Sequence, residues 1–349
     1  NQIAAGEPPR YTGIWSEASN EEVQEELAKG NEPVYRFRIP KKETIIFEDL
    51  VKGEQSFSTD DLDDFIVRKK DKTPTFMFAN AIDDSLMEVD LVLRGDDHLS
   101  NTPRQIALLE ALELALPQYA HVSLFTGSDG APLSKRNGSL SINDLRDIGY
   151  LPIAVANYLS RVGHTMSGND LLDLNDLANS FEIKNISSSP SKFDMDQMLF
   201  WQKKAVEKLT IEDFDNWLSD SLTNLPSEIN KKGFIELIKE NINFPIEAEE
   251  YLHKLFLKPL VDEKEIAEII SSAGKEFYLE AHDVISQGIS DWNECVKKIG
   301  NQSGKKGREL FMPLRVAITG QTKGPELDKV IELIGPERIL KRIKEASEL

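Results

Sequence analysis

Cysteine is almost absent from this chain of 349 residues, Cys295 being the single one. It cannot form a disulfide within the chain or supply a cysteine-rich zinc site, which fits a reducing compartment such as the cytoplasm. Long apolar runs are lacking as well: no stretch approaches the roughly 20 residues that a membrane-spanning helix needs, so a helical membrane protein is excluded. Asn1 to Arg10 contain neither an initiating Met nor the charged-then-apolar layout of a secretory leader, and residues are expected to precede Asn1. Positive charge is in deficit, with 41 Lys and Arg against 60 Asp and Glu for a net charge of -19. That argues against a surface attracting nucleic acid everywhere. It leaves room for local basic stripes, because screening confines a charge to about 10 Å. Candidates are Arg68-Lys69-Lys70-Asp71-Lys72, Lys135-Arg136 and Lys305-Lys306-Gly307-Arg308. Each run, taken alone, also fits solvated surface. Internal repeats and low-complexity segments are absent, excluding solenoids and compositionally biased tails.

What is present is enough apolar sequence, 40% of residues, for a folded protein of two or three domains. From Tyr35 to about Phe65 short apolar and polar residues alternate, predicting a small β module. Phe76 to Ile82 reads as a strand, Asp83-Asp84 as a turn, and Val89 to Leu93 as a second, buried strand. A helix follows with Thr102 as its N-cap and Pro103 at its first position, carrying Ile106, Leu109 and Leu112 on one face. His121 to Phe125 then closes a strand, helix, strand unit of α/β type. Beyond Gly149 the periodicity turns helical over 151–162, 168–181 and 192–209 and in most later segments, with breaks at Pro190, Pro226, Pro245, Pro259 and Pro325. The fold expected is therefore α/β followed by an all-α body.

Two constellations carry candidate chemistry. In an open α/β sheet, ligands sit beyond the carboxyl ends of strands, and Arg94-Gly95-Asp96-Asp97-His98 falls there. Arg94 offers a planar fork for a substrate carboxylate, Gly95 lets a flat ring approach the backbone, and Asp97 can accept hydrogen bonds from ribose hydroxyls or an ammonium group. A polar strand-end turn with an ion pair explains the same residues. The second constellation runs from Gly127 to Ser139, with Ser134, Lys135 and Arg136 between glycines, a set able to follow charge developing on a pyrophosphate leaving group. A surface hairpin with basic tips is the alternative. The P-loop spacing is absent.

Taken together, Pro74-Thr75-Phe76, Asp83-Asp84, Arg94 through Gln105, Tyr119-Ala120-His121-Val122, Leu133 through Gly138 and Gly149-Tyr150-Leu151-Pro152 resemble bacterial glutamyl-tRNA synthetases in order and spacing. Residues 8–13, 47–51 and 62–65 are similar to the insertion that contacts the tRNA acceptor end, and 313–320 to a segment of the last helical domain. The resemblance implies residues 1–73 as part of an acceptor-end insertion and 74–127 as the second half of a Rossmann-like class I catalytic domain. It implies 128–208 as a stem-contact region with the second class I signature, and 209–349 as a helical anticodon-binding domain. It further implies a glutamate-tRNA ligase with ATP, Mg2+, glutamate and tRNA-Glu as substrates, tRNA-Gln being undecided, in a cytoplasmic monomer. Lys135 and Ser134 would be catalytic; Lys135, Leu133, Gly95, Asp97, Leu124 and Phe125 would meet ATP. Arg94 would hold the side-chain carboxylate of glutamate, with Asn80 and Phe76 lining its pocket. Lys305, Lys306 and Arg308 are candidates for tRNA contact, and no metal ligand set is expected.

The sequence also departs from the family pattern. No first class I signature, of His-Ile-Gly-His type, occurs in the 349 residues. On that ground the chain is expected to be a fragment without half of the ATP site and without activity of its own. Phe76 stands where a tyrosine is usual, Pro132 where a lysine opens the second signature, and Asp96 where glutamate is commoner. A tRNA-binding or regulatory relative without ligase activity is the alternative. A metal-dependent hydrolase using Asp96, Asp97 and His98 ranks below both, since adjacent strand residues face opposite ways. The remaining histidines and Cys295 read as packing or surface residues, and Trp201, Trp217 and Trp292 as core. The ligase reading requires the turn bearing Arg94 and Asp97 to share one cleft with the segment bearing Lys135.

Overall fold

A computed structural model of the chain describes residues 11, 13, 15–127, 130–131, 133, 140–257, 264–289 and 291–349. Its elements begin with α1 (Asn20–Ala28), β1 (Tyr35–Phe37), β2 (Thr44–Asp49), β3 (Gly53–Ser58), β4 (Phe65–Arg68), α2 (Phe76–Leu86), β5 (Leu91–Gly95), α3 (Thr102–Ala111), β6 (Gln118–Val122) and β7 (Phe125–Thr126). There follow α4 (Ile142–Ile148), α5 (Pro152–Leu159), α6 (Leu174–Asn179), β8 (Ser191–Lys192), α7 (Met195–Lys208), α8 (Ile211–Trp217), α9 (Lys231–Ile238) and α10 (Pro245–Leu252). The last are α11 (Lys264–Ala273), α12 (Lys275–Ser286), α13 (Trp292–Ser303), α14 (Arg308–Thr319), α15 (Leu327–Ile334) and α16 (Pro336–Glu348). No helix among the described residues is long and apolar enough to cross a membrane. The chain divides into two compact units, one of Asn1–Ser139, Leu159–Asn169 and Asn175–Phe193, the other of Leu140–Tyr158, Asp170–Leu174 and Asp194–Leu349.

The first unit is mixed α/β. Its main sheet has the order β3-β2-β6-β5: β2 and β3 form an antiparallel hairpin, while β6 runs parallel to both β2 and β5. Strand β5, helix α3 and strand β6 make the expected βαβ unit, and its register sets Arg94 beside His121 and Gly95 beside Val122 at the strand ends. The sheet is covered through Ile106 and Ala107 of α3, which pack with Ile39, Ile45, Leu62 and Tyr119. The opposite flank of α3, Leu108 and Leu109, packs on Ala81, Phe78 and Ile82 of α2.

That last contact corrects one expectation: Phe76 to Ile82 is helix, not strand. Phe78, Ala81 and Ile82 recur at helical spacing and bury one stripe, so the tertiary partner overrides the dense apolar run that suggested a strand. Asp83 and Asp84 lie inside this helix, and the turn comes later, where Glu88 takes a positive φ of 58°. The N-cap of α3 is Asn101, not Thr102, because a 3-10 turn over Asp96–Asn101 leads into it. Strand β6 starts earlier than expected and stops at Val122, with β7 a separate short strand paired to β8.

The second unit is all helical among its described residues, but the helical body expected from Gly149 onward is interrupted: 159–169 and 175–193 belong to the first unit and carry β8, and of 168–181 only Leu174–Asn179 is helix. Its core joins Phe214, Phe234, Tyr278, Ile285, Leu314, Val316, Ile339 and Ile343, from α8, α9, α12, α14 and α16. Trp201 and Trp292 are buried, and Trp217 donates its indole N–H to the carbonyl of Gly149 at 3.1 Å. Pro245 opens α10 at a position where its missing N–H costs nothing. Pro313 lies buried within α14. Arg342 of α16 is buried and donates to the carbonyls of Ile318 and Lys254, while Arg338 donates to that of Phe256 at 2.6 Å. These arginines satisfy carbonyls that helix ends leave without partners.

Candidate active site

The site grows from the parallel ends of β5 and β6. Alternation along β5 turns Arg94 toward α2 and α3, where α3 supplies Thr102 and Gln105 at adjacent positions of one face. Arg94 Nη2 donates to Thr102 Oγ1 and to Gln105 Oε1, both at 2.8 Å. Its Nε donates to His121 Nε2 at 3.2 Å, across the strand pair. Nη1 makes only a long contact of 3.5 Å to Asn80 Oδ1, and Asn80 is held by Gln105 Nε2 at 3.1 Å. The guanidinium is thus fixed on one edge with Nη1 on the other. Burial presses its proton affinity down, against the pull of Tyr119, Asp84 and Asp97.

Beneath Arg94 lies a buried pair. Asp49 ends β2, and its Oδ1 accepts from the backbone N–H of Val51, Lys52 and His121 at 3.0, 2.8 and 3.1 Å. Its Oδ2 lies 2.5 Å from His121 Nδ1, and both side chains are inaccessible to solvent. Burial pushes Asp49 up, but the His121 ring and the surrounding N–H groups outweigh it and hold the carboxyl below the usual range. Burial likewise lowers His121, although Asp49 opposes the shift. Tyr119 beside them is pushed up to about 12, chiefly by burial.

The turn after β5 completes the wall. A Cβ on Gly95 would stand 2.4 Å from Asp97 Oδ1 and 3.1 Å from Leu124 Cδ2, so only glycine leaves the Asp97 carboxylate where it is. Asp97 is half exposed, its carboxylate 3.8 Å from His98, and the His98 ring lies 5.5 Å from that of Phe76, itself an exposed side chain. Asp96 faces elsewhere, 2.9 Å from Lys52 Nζ, which also donates to Ser123 Oγ and the Ser188 carbonyl, both at 2.7 Å. Asp96 and Asp97 therefore have different partners, and both lie in the 3-10 turn that follows β5. Partial burial raises the Asp96 carboxyl, but Lys52 brings it below its ordinary value.

The structure thus brings Asn80, Arg94, Gly95, Asp97 and Leu124 to one end of the sheet, with Phe76 one helical turn before Asn80. Phe125 lies in β7, and its carbonyl accepts from the N–H of Leu133 at 3.0 Å. Ser134 and Lys135, with Arg136 and Pro132, lie outside the described residues, and so does the test of the cleft they were expected to share with Arg94. In the helical unit, Lys305 Nζ sits 5.4 Å from the ring centre of Phe277, while Lys306, between α13 and α14, and Arg308, at the start of α14, are exposed. Sequence reasoning missed Asp49, Lys52, Thr102 and Gln105, and read His121 as a packing or surface residue. Its burial fits packing; its bonds to Asp49 and Arg94 do not. An aspartate at a strand end followed by Val51-Lys52-Gly53 was the available signal.

Residues 1–200 match the family described as tRNA synthetases class I (E and Q), catalytic domain, and residues 210–347 match an anticodon binding domain. A glutamate-tRNA ligase of Halorhodospira halophila is 43% identical over all of this chain and 72% of its own length. One from Coxiella burnetii is 43% identical over 99% of this chain and 74% of its own length. A crystal structure of a glutamate tRNA ligase from Elizabethkingia meningosepticum in complex with its amino acid shares the fold, with a TM-score of 0.85 at 24% identity, covering 99% of this chain and 76% of that one. By its sequence, the chain belongs to the glutamate-tRNA ligases of the class I aminoacyl-tRNA synthetases.

Proposed function

We propose that the end of the β5–β6 pair is the amino-acid and nucleotide side of a glutamate-tRNA ligase site. Arg94 Nη1 faces the side-chain carboxylate of glutamate, with Asn80 and Phe76 lining the pocket. Gly95 admits the adenine ring against the backbone, beside Leu124 and Phe125, and Asp97 accepts from the ribose hydroxyls. Leu133, Ser134 and Lys135 meet the phosphates of ATP, which enters with Mg2+ as the substrate complex. The glutamate α-carboxylate attacks the α-phosphorus and pyrophosphate leaves; a hydroxyl of the terminal ribose of tRNA-Glu then takes the acyl group from the adenylate, and AMP leaves. No protein nucleophile is required; the residues orient the reactants and balance charge.

Around this site we assign residues 1–73 to the acceptor end of tRNA, 74–127 to the catalytic half-domain, 128–208 to the stem and 209–349 to the anticodon, with Lys305, Lys306 and Arg308 on phosphates. The 349 residues contain no first class I signature, and on their own they bind substrates without completing activation. A cytoplasmic monomer fits the lone buried thiol of Cys295. The assignment rests above all on the guanidinium of Arg94, half-buried and tied along one edge while Nη1 keeps only a 3.5 Å contact. Arg94→Ala should weaken glutamate binding by about 10- to 100-fold, the worth of a charge-assisted hydrogen bond of about 1.5–3 kcal/mol, in isothermal titration of the chain. Unchanged affinity would remove Arg94 from the amino-acid pocket.

A further inference from the structure

We propose that Asp49 and His121 form a positioning pair for Arg94, His121 Nε2 serving as the acceptor that fixes the guanidinium edge and leaves Nη1 for the substrate carboxylate. This rests on the reading of Arg94 as the glutamate ligand. The geometry allows one protonation pattern. Arg94 Nε can only donate, so His121 Nε2, 3.2 Å away, must carry a lone pair. The ring proton then sits on Nδ1, directed at Asp49 Oδ2, and the imidazole is neutral. Asp49 is itself immobilised by the backbone N–H groups of Val51, Lys52 and His121. Orientation therefore passes from the β2–β3 turn through a carboxylate and an imidazole to a guanidinium on another strand.

Two observations favour this over plain core packing. Asp49 and His121 are 72 residues apart and wholly buried, yet every ring nitrogen of His121 has a directed polar partner. A packing residue would place an apolar side chain there at lower desolvation cost. Thr102 Oγ1, 3.0 Å from the same Nε2, also accepts from Arg94 Nη2, so imidazole, hydroxyl and guanidinium form one closed set. Removing the imidazole lone pair frees the guanidinium to rotate about its last bonds while leaving its charge in place. The groups facing His121 are Asp49, Thr102 and Arg94, with the Tyr119 ring alongside and Asp96 adding a weaker field.

The test begins with the unsubstituted chain. Long-range 1H–15N spectra should show His121 as the neutral Nδ1–H tautomer from pH 7 to pH 5.5, and the Arg94 Nε–H proton should exchange slowly with water. An imidazolium, an Nε2–H tautomer or a rapidly exchanging Arg94 Nε–H overturns the proposal without any variant. His121→Gln keeps an acceptor near Nε2, whereas His121→Asn keeps a donor toward Asp49 and removes that acceptor. The asparagine variant should lose protection of the Arg94 proton and bind L-glutamate at least 10-fold more weakly; the glutamine variant should stay within about threefold of the unsubstituted chain. Equal behaviour of the two, with folding intact, overturns the pair's role. If the Arg94 proton responds as expected but neither His121→Asn nor Arg94→Ala alters glutamate binding, positioning stands and the assignment of Arg94 to glutamate falls.

Discussion

Arg342 in the helical unit and Arg94 in the α/β unit are held in opposite ways, the first buried and the second half-buried. Arg342 in the helical unit bonds to backbone carbonyls, those of Ile318 and Lys254, and is inaccessible; burial above all brings its pKa down to about 10. Arg94 in the α/β unit bonds to side chains, those of Thr102, Gln105 and His121, and its Nη1 keeps only the 3.5 Å contact to Asn80. A guanidinium that completes backbone carbonyls is a staple, because losing it leaves buried acceptors without donors. One held by side chains, which can bond to each other instead, spends little of its hydrogen bonding on the fold and is available for a ligand. Charge and burial alone do not separate a functional arginine from a structural one; the chemical nature of the partners does.

The contrast is sharpest in a pair of matched substitutions. Arg342→Met should destabilise the helical unit by about 3 kcal/mol, since it strands the carbonyls of Ile318 and Lys254, and should leave glutamate affinity unchanged. Arg94→Met should cost about 1 kcal/mol or less in stability while weakening glutamate binding by about 10- to 100-fold. Urea titration followed by amide signals of Ala281 for one unit and Ala120 for the other reads both effects. A larger stability loss from Arg94→Met than from Arg342→Met would reverse the comparison.

Acid should act next, and on the α/β unit. His121 titrates below its usual 6.5 in the folded chain. Below about pH 6.5 the unfolded chain therefore takes up a proton that the folded one refuses, and stability falls by at most about 1.4 kcal/mol per pH unit. Asp49 is held below its usual 3.8, so its contribution is complete above that value and is lost only as the pH falls further, through the lowered folded value. Urea midpoints of the Ala120 signal should thus drop between pH 6.5 and 5, and His121→Gln should flatten that drop. A flat profile in the unsubstituted chain would mean that His121 takes up its proton as readily folded as unfolded.

The smallest effect belongs to Tyr278. Its hydroxyl is fully buried in the helical core without a hydrogen-bond partner, and burial pushes its pKa up. Tyr278→Phe should stabilise that unit by about 1 kcal/mol, because it removes a desolvated group that gains nothing in return. A loss of stability instead would point to a partner for the hydroxyl in solution.

These differences also mark how far the sequence could be read. Arg94, Gly95 and Asp97 were legible because one short segment carries them and a strand end exposes them. The helical C-terminal body was legible from periodicity over many turns. Helix α2 was not, since the dense apolar run from Phe76 resembles a buried strand until the partner Leu108–Leu109 face is known. Asn80 was placed in the pocket by resemblance, but its i, i+4 relation to Phe76 appears only once that segment is helical. Asp49 and His121 were illegible because their pairing joins distant strands, and no local spacing encodes it.

The central claim is that Arg94 presents Nη1 to a side-chain carboxylate, and comparing L-glutamate with L-glutamine as titrants of the same chain tests it most directly. The account predicts at least 10-fold tighter binding of glutamate, because glutamine offers a neutral amide where the guanidinium meets charge. Equal affinity for the two would contradict it.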